Sequence, residues 1–228
     1  FRCYYCFRSR KYSKIRYFSI ERVCEEILYL KKKGIKHIRF VDDCFISDQA
    51  RFERLADSIS KIKQGMTFDM MCRPEFLSSK NIELLQKINL KRVQVGLQTT
   101  NKDILKRLYR SFDPDSFRKT VENLQKKKIS VMVDCILGLP GDDFSSFRNT
   151  IEYLLRVRPE IIHIHKLFIH PGSYLDLNME KYGIRIEKRY SDLLCPKIRY
   201  NDTFDIHEME KATRYLKQLE VNYPGMVR

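Results

Sequence analysis

No stretch of the 228 residues approaches the roughly 18 uninterrupted apolar residues of a membrane-spanning helix, and no signal-peptide run stands near Phe1. Insertion into a membrane is excluded on that reading. Glycine and proline are scarce, 8 and 7 residues, against 43% hydrophobic and 12% aromatic residues. A chain with so much apolar side chain is neither collagen-like nor disordered, and its length suits one large core. Cysteine is odd in number, seven residues at scattered positions 3, 6, 24, 44, 72, 135 and 195. Without a secretion signal these read as thiols in a reducing compartment, so cytoplasm is the expectation. Acidic residues are the minority charge, 29 against 44 Lys and Arg, leaving a formal +15. That excess invites a phosphate-bearing partner. Lys31 to Lys33 and Lys126 to Lys128 nevertheless fall on helix faces, where long charged side chains serve to keep a helix wet. The chain starts at Phe1 without methionine and reaches a cysteine-rich run at once, so it is expected to be cut from something longer.

Apolar or β-branched runs recur at 36–42, 67–72, 92–97, 130–136 and 161–168. Segments of helical period lie between them, at 19–33 with Gly34 as C-cap, 49–63, 79–88, 114–127 and 145–156, with a last one at 206–219. Strand and helix units repeating about every 30 residues imply parallel strands with helical crossovers, hence an α/β fold. Strands buried on both faces read as continuous apolar runs, but these alternate. Ile38 and Phe40 oppose His37, Arg39 and Asp43; Phe68 and Met70 oppose Asp69 and Arg73; Val93, Val95 and Leu97 oppose Arg92, Gln94 and Gln98. Val131 and Val133 oppose Asp134 and Ile136, and Ile162 and Ile164 oppose His163 and His165. An apolar outer face under helices and a polar inner face around a lumen accounts for all five. The expected architecture is a partial, open barrel whose polar lumen takes a polar ligand, a sixth strand ahead of Phe1 completing a (β/α)6 arrangement. Residues 1–185 form the barrel on this reading, and 186–228 a C-terminal extension.

Cys3-Tyr-Tyr5-Cys6 is a C-x-x-C pair in the loop before the first helix. Zinc would want a second such pair, and none of the other five cysteines has a neighbour. A redox pair of the thioredoxin kind would need a strand just ahead of it. An iron-sulfur cluster also uses this spacing, and a cysteine two places before Phe1 would give three thiolates for a cluster that normally takes four.

With those residues the chain resembles the radical S-adenosylmethionine (SAM) enzymes, whose signature is C-x-x-x-C-x-aromatic-C, here with Tyr5 as the aromatic. Val41-Asp-Asp-Cys-Phe45 is similar to runs in the subgroup that carries a cobalamin-binding domain. Gly96-Leu-Gln98-Thr, then Arg110, then Asp134-Cys-Ile136-Leu-Gly-Leu-Pro140-Gly resembles the SAM-binding series of the oxygen-independent coproporphyrinogen oxidase group, and His170-Pro-Gly172-Ser173 its P-G-T turn. The resemblance covers roughly residues 1–185 and its strength lies in the ordered series.

What it implies is a 4Fe-4S cluster on Cys3 and Cys6 with one iron open to the amino and carboxylate groups of SAM. Reductive cleavage of SAM would then yield a 5'-deoxyadenosyl radical, with an electron donor such as flavodoxin or ferredoxin, an unknown substrate, and cobalamin in the full-length protein. Arg110 suits the SAM carboxylate, because guanidinium pairs with it through two charge-assisted hydrogen bonds. Gln98 and Asp134 offer acceptors to ribose hydroxyls, and Ile136 packs on adenine. Asp42 and Asp43 stand where the family contacts the SAM amino group, in place of its Gly-Gly-Glu run; alternation favours Asp43 and the resemblance favours Asp42. Arg73 is placed to serve SAM or substrate. His163 and His165 form a His-x-His that metallohydrolases use for metal, with His170 the nearest further histidine; polar lining of the lumen is the preferred reading. A tRNA-modifying enzyme of the same kind and a non-catalytic, basic nucleic-acid-binding domain are the alternatives.

Overall fold

The computed structural model describes residues 3–6, 15–187 and 195–228; Phe1 and Arg2 of the cysteine motif and 188–194 of the expected C-terminal extension lie outside the described residues. The chain falls into two compact units, one of Arg16–Leu97 and Pro114–Val133, the other of Phe1–Ile15, Gln98–Asp113 and Asp134–Arg228.

The first unit holds α1 (Ile20–Lys32), β1 (His37–Arg39), α2 (Gln49–Ile62), β2 (Thr67–Cys72), α3 (Ser79–Lys87), nearly all of β3 (Leu90–Gln98), α5 (Pro114–Lys126) and the start of β4 (Ser130–Leu137). Helix starts follow the chemistry of short polar side chains: Ser19, Asp48 and Ser78 each accept a hydrogen bond from the backbone N–H three residues on. Helix ends close with a left-handed residue. Gly34 does this after α1, with φ 81, and Lys128 after α5, with φ 59. β1 pairs with β2 and β2 with β3, both parallel. Phe68, Met70, Cys72, Val93, Val95, Leu97, Val131 and Val133 are all buried, so the expected apolar face is the packed one.

The second unit holds α4 (Lys102–Arg107), the end of β4, α6 (Phe144–Val157), β5 (Ile161–Lys166), the antiparallel pair of β6 (Arg185–Ile186) and β7 (Ile198–Tyr200), and α7 (Ile206–Asn222). Strand order in the sheet is β1-β2-β3-β4-β5, the order of the chain. Sequence period does not reveal α4, a six-residue helix capped by Asn101, whose side chain accepts from the N–H groups of Asp103 and Ile104. Nor does it reveal the end of the chain. Ile162 and Ile164 donate to the carbonyls of Met226 and Arg228, and Arg228 donates back to Ile162, so residues 226–228 run parallel along β5. The C-terminal residues also brace the Gly138-Leu-Pro-Gly141 loop: Asn201 Nδ2 donates to the Gly138 carbonyl at 3.0 Å and the Gly141 N–H to Thr203 Oγ1 at 2.7 Å. A Cβ at Gly138 would stand 3.0 Å from Ile198 Cγ2, which explains glycine there beyond its φ of 89.

Among the described residues no helix is long and apolar enough to cross a membrane.

Candidate active site

Cys3 to Cys6 form a tight turn, the Cys6 N–H donating to the Cys3 carbonyl at 3.1 Å. Cys3 is buried, with its thiol 4.0 Å from the Leu108 carbonyl; Cys6 is half-buried. The intervening tyrosines anchor the turn. Tyr4 donates its hydroxyl to the Pro140 carbonyl at 3.4 Å and accepts the Leu175 N–H on its own carbonyl at 3.2 Å. Burial pushes both phenols well above the ordinary range, and for Tyr5 the adjoining Cys3 adds to the effect while Arg110 opposes it. The turn therefore rests on three separate stretches of the sequence: the α4 end that carries Arg110, the Gly138-to-Gly141 loop, and the stretch that follows His170-Pro-Gly-Ser173.

Arg110 is placed by the end of α4. Tyr109 takes the left-handed conformation, with φ 53, its N–H bonding Lys106 and the Arg110 N–H reaching back to Leu105. This double closure fixes the chain direction as it leaves the helix and holds the arginine beside Tyr5.

Gln98 ends β3 buried and with φ 76, a left-handed backbone that costs about 1 kcal/mol for a residue with a Cβ. The following residues hold it there. Thr99 Oγ1 lies 3.5 Å from Asp142 Oδ2 and 3.4 Å from Thr150 Oγ1, and Thr150 Oγ1 also accepts the Thr100 N–H at 3.0 Å. Asp142 is fully buried, and burial raises its carboxyl to about 6. Asp142 and Thr150 escape motif reading, although Thr150 betrays itself on the apolar stripe of Phe147, Ile151 and Leu154 along α6.

Asp134 and Ile136 share one face of β4, Asp134 partly open and Ile136 buried. Asp134 Oδ1 lies 3.3 Å from His163 Nδ1 and 3.6 Å from His165 Nε2 of the next strand, and the two imidazoles lie against each other at a tilt of 58°, with centroids 3.9 Å apart. Burial and the neighbouring His165 lower the pKa of His163. The alternation that aligned Asp134 with the two histidines in sequence is realised in space.

Asp42, Asp43 and Arg73 belong to the other unit. β1 ends at Arg39, short of the run expected at 36–42, and Asp42 and Asp43 are exposed. The reason lies in two backbone bonds: Phe40 donates to Asp69 and Phe45 to Met71, so four residues on one side answer one on the other and loop out. Strand alternation thus has no hold on Asp43. Arg73 is buried and pairs with Glu75 at 2.7 Å.

The thiols of Cys3 and Cys6, on one shielded turn, are soft donors of the kind an iron-sulfur cluster takes, and the site's residues fit that group. Residues 1–154 match the model of the Radical SAM superfamily, and the chain belongs to that family. It is 22% identical over 217 residues to a probable threonylcarbamoyladenosine tRNA methylthiotransferase of Pyrococcus abyssi, covering 90% of this chain and 51% of that protein. Over 123 residues it is 23% identical to the oxygen-independent coproporphyrinogen-III oxidase-like protein HemZ of Bacillus subtilis, 54% of this chain and 25% of that one. Among solved structures, the radical SAM methyltransferase TsrM of Kitasatospora setae, with cobalamin and a [4Fe-4S] cluster bound, superposes with TM-score 0.75 at 15% identity, over 83% of this chain and 38% of that chain. The chain spans about half or less of the length of each. Its fold is the α/β partial barrel of these structures, and its relatives are enzymes.

Proposed function

We propose that this chain is the catalytic core of an enzyme that holds a 4Fe-4S cluster on Cys3 and Cys6 and cleaves S-adenosylmethionine reductively. The cluster, when bound and reduced by a donor such as flavodoxin or ferredoxin, supplies the electron that splits SAM into methionine and a 5'-deoxyadenosyl radical. The observation that carries the reading is the seat of the Cys3–Cys6 turn, whose two tyrosines meet Arg110, Pro140 and Leu175. Around that seat Arg110 pairs with the SAM carboxylate. Asp134 accepts from a ribose hydroxyl, oriented by His163 and His165, and Gln98 presents its amide to the same sugar from a backbone already fixed by Thr99. Ile136 offers apolar surface to adenine. Asp42, Asp43 and Arg73 are assigned to the SAM amino group and the substrate. A radical formed there would take hydrogen from a substrate bound beside these residues.

A tRNA substrate is the second reading, favoured by the formal +15 and by the tRNA-modifying relative that matches 90% of the chain. Cobalamin is assigned to the full-length protein on the strength of its cobalamin-bound structural neighbour. The test is anaerobic incubation of the natural full-length protein with SAM and dithionite, followed by chromatography. Formation of 5'-deoxyadenosine with methionine is expected; a cluster-loaded protein that forms neither would refute the proposal.

A further inference from the structure

Outside that site lies a second pair of thiols. Cys44 and Cys72 stand at the ends of neighbouring segments in the first unit, Cys44 in the loop after β1 and Cys72 as the last residue of β2. Both are buried, 7% and 3% exposed, and their sulfurs lie 4.0 Å apart. Two features make this more than a chance approach. The backbone sets the two segments side by side, through the Phe45 N–H on the Met71 carbonyl, the residue after Cys44 bonding the residue before Cys72. The sulfurs also face each other directly, as partners in one hydrogen bond, with the Arg73 carbonyl 3.3 Å from the Cys72 sulfur. A hydrogen bond from Cys72 lowers the Cys44 thiol to about 7, against the effect of burial and with help from Arg73, while Cys72 is pushed up as the proton-bearing partner. A thiolate beside a thiol is the arrangement from which disulfides form.

We propose that Cys44 and Cys72 are a redox-active modification site, converted to a disulfide by a two-electron oxidant of the peroxide class. The Cys44 thiolate attacks one peroxide oxygen, the O–O bond breaks, and the departing hydroxide takes a proton to become water, leaving a sulfenic acid. The Cys72 sulfur then attacks the Cys44 sulfur; the S–S bond forms, the S–O bond breaks, and the leaving hydroxide carries off the Cys72 proton as a second water. Each sulfur gives up one electron and the peroxide accepts two. Closure needs the sulfurs to approach from 4.0 Å to about 2 Å, a movement available on the Cys44 side because residues 41–44 are looped out and not held in a strand. The product would tie the loop bearing Asp42 and Asp43 to the residue before Arg73.

The test uses the full chain with all seven cysteines. After brief treatment with one equivalent of hydrogen peroxide, remaining thiols are blocked and the protein is digested with trypsin, which places Cys44 in peptide 40–51 and Cys72 in peptide 64–80. Those two peptides are expected joined in most molecules and separated by dithiothreitol. In Cys72→Ser, Cys44 should stop at the sulfenic acid and be captured by dimedone. The wild-type result does not depend on how well that variant folds. Recovery of Cys44 and Cys72 as blocked free thiols while other cysteines are oxidised, or linkage of either to a different cysteine, would overturn the proposal. Neither outcome bears on the cluster, which rests on Cys3 and Cys6.

Discussion

A carboxyl with no water around it is held charged by its neighbours or kept neutral, and Asp142 shows the second tendency. Burial raises it from 3.8 to about 6, partly offset by hydrogen bonds from Ser146, the Asp143 N–H and Thr99. Between those two values the folded protein retains a proton that the unfolded chain has released. Stability from this group is therefore greatest below pH 4, declines as pH rises toward 6, and stays low above it. Asp142→Asn removes the buried charge while keeping an oxygen and a polar partner for Thr99. It should raise stability at pH 8 by about 2 kcal/mol and leave it nearly unchanged at pH 4, read from urea unfolding at both values. The same scale tests the proposed ligand set. Asp134→Ala and Arg110→Ala should each weaken SAM binding by about 1.5–3 kcal/mol, the worth of a charge-assisted hydrogen bond, with iron content unchanged. Calorimetry that finds SAM affinity intact in both variants would remove them from the site. Asp134 was readable from alternation because β4 is long and regular around it. Alternation has no hold on Asp43, because β1 stops at Arg39. The pairing of Thr99 with Asp142 stayed hidden, since contact across 43 residues is a product of the fold and leaves no local pattern.

At the scale of elements, the helices and strands with strong period were legible to within two or three residues, because an apolar stripe and a polar cap both mark them. α4 was not: six residues are too few to display a period, and its role lies in the closure that places Arg110. The run at 226–228 was not legible either, since a single-bridge pairing of three residues owes its conformation to the neighbour it meets. Caps offer a test at this scale that leaves the site alone. Lys128 closes α5 in the left-handed region, its N–H on Gln125 and the Ile129 N–H on Leu124, a place where Gly34 serves after α1. Lys128→Gly should relieve the Cβ strain, less the added freedom of the unfolded chain, for a net gain of up to about 1 kcal/mol in chemical denaturation. A net loss would show that the lysine side chain contributes more than its backbone costs.

For the whole molecule, the order of motifs in the sequence carried more than any single motif. A C-x-x-C alone fits zinc, redox or cluster chemistry. The series that continues through Gln98, Arg110, Asp134 and the Gly138-to-Gly141 loop fits one family, and in the structure the Cys3–Cys6 turn is seated on parts of that series. The substrate was not legible, because a polar lumen accommodates SAM by itself and every outcome after radical formation starts from the same residues. The central claim is that Cys3 and Cys6 are cluster ligands, and it is tested most directly by metal content. The natural full-length protein, purified without oxygen, should contain about four iron and four sulfide. Cys3→Ala and Cys6→Ala should each lose the brown chromophore and most of that iron while keeping the far-UV circular dichroism of the parent; iron retained at the parent level in both variants would contradict the account.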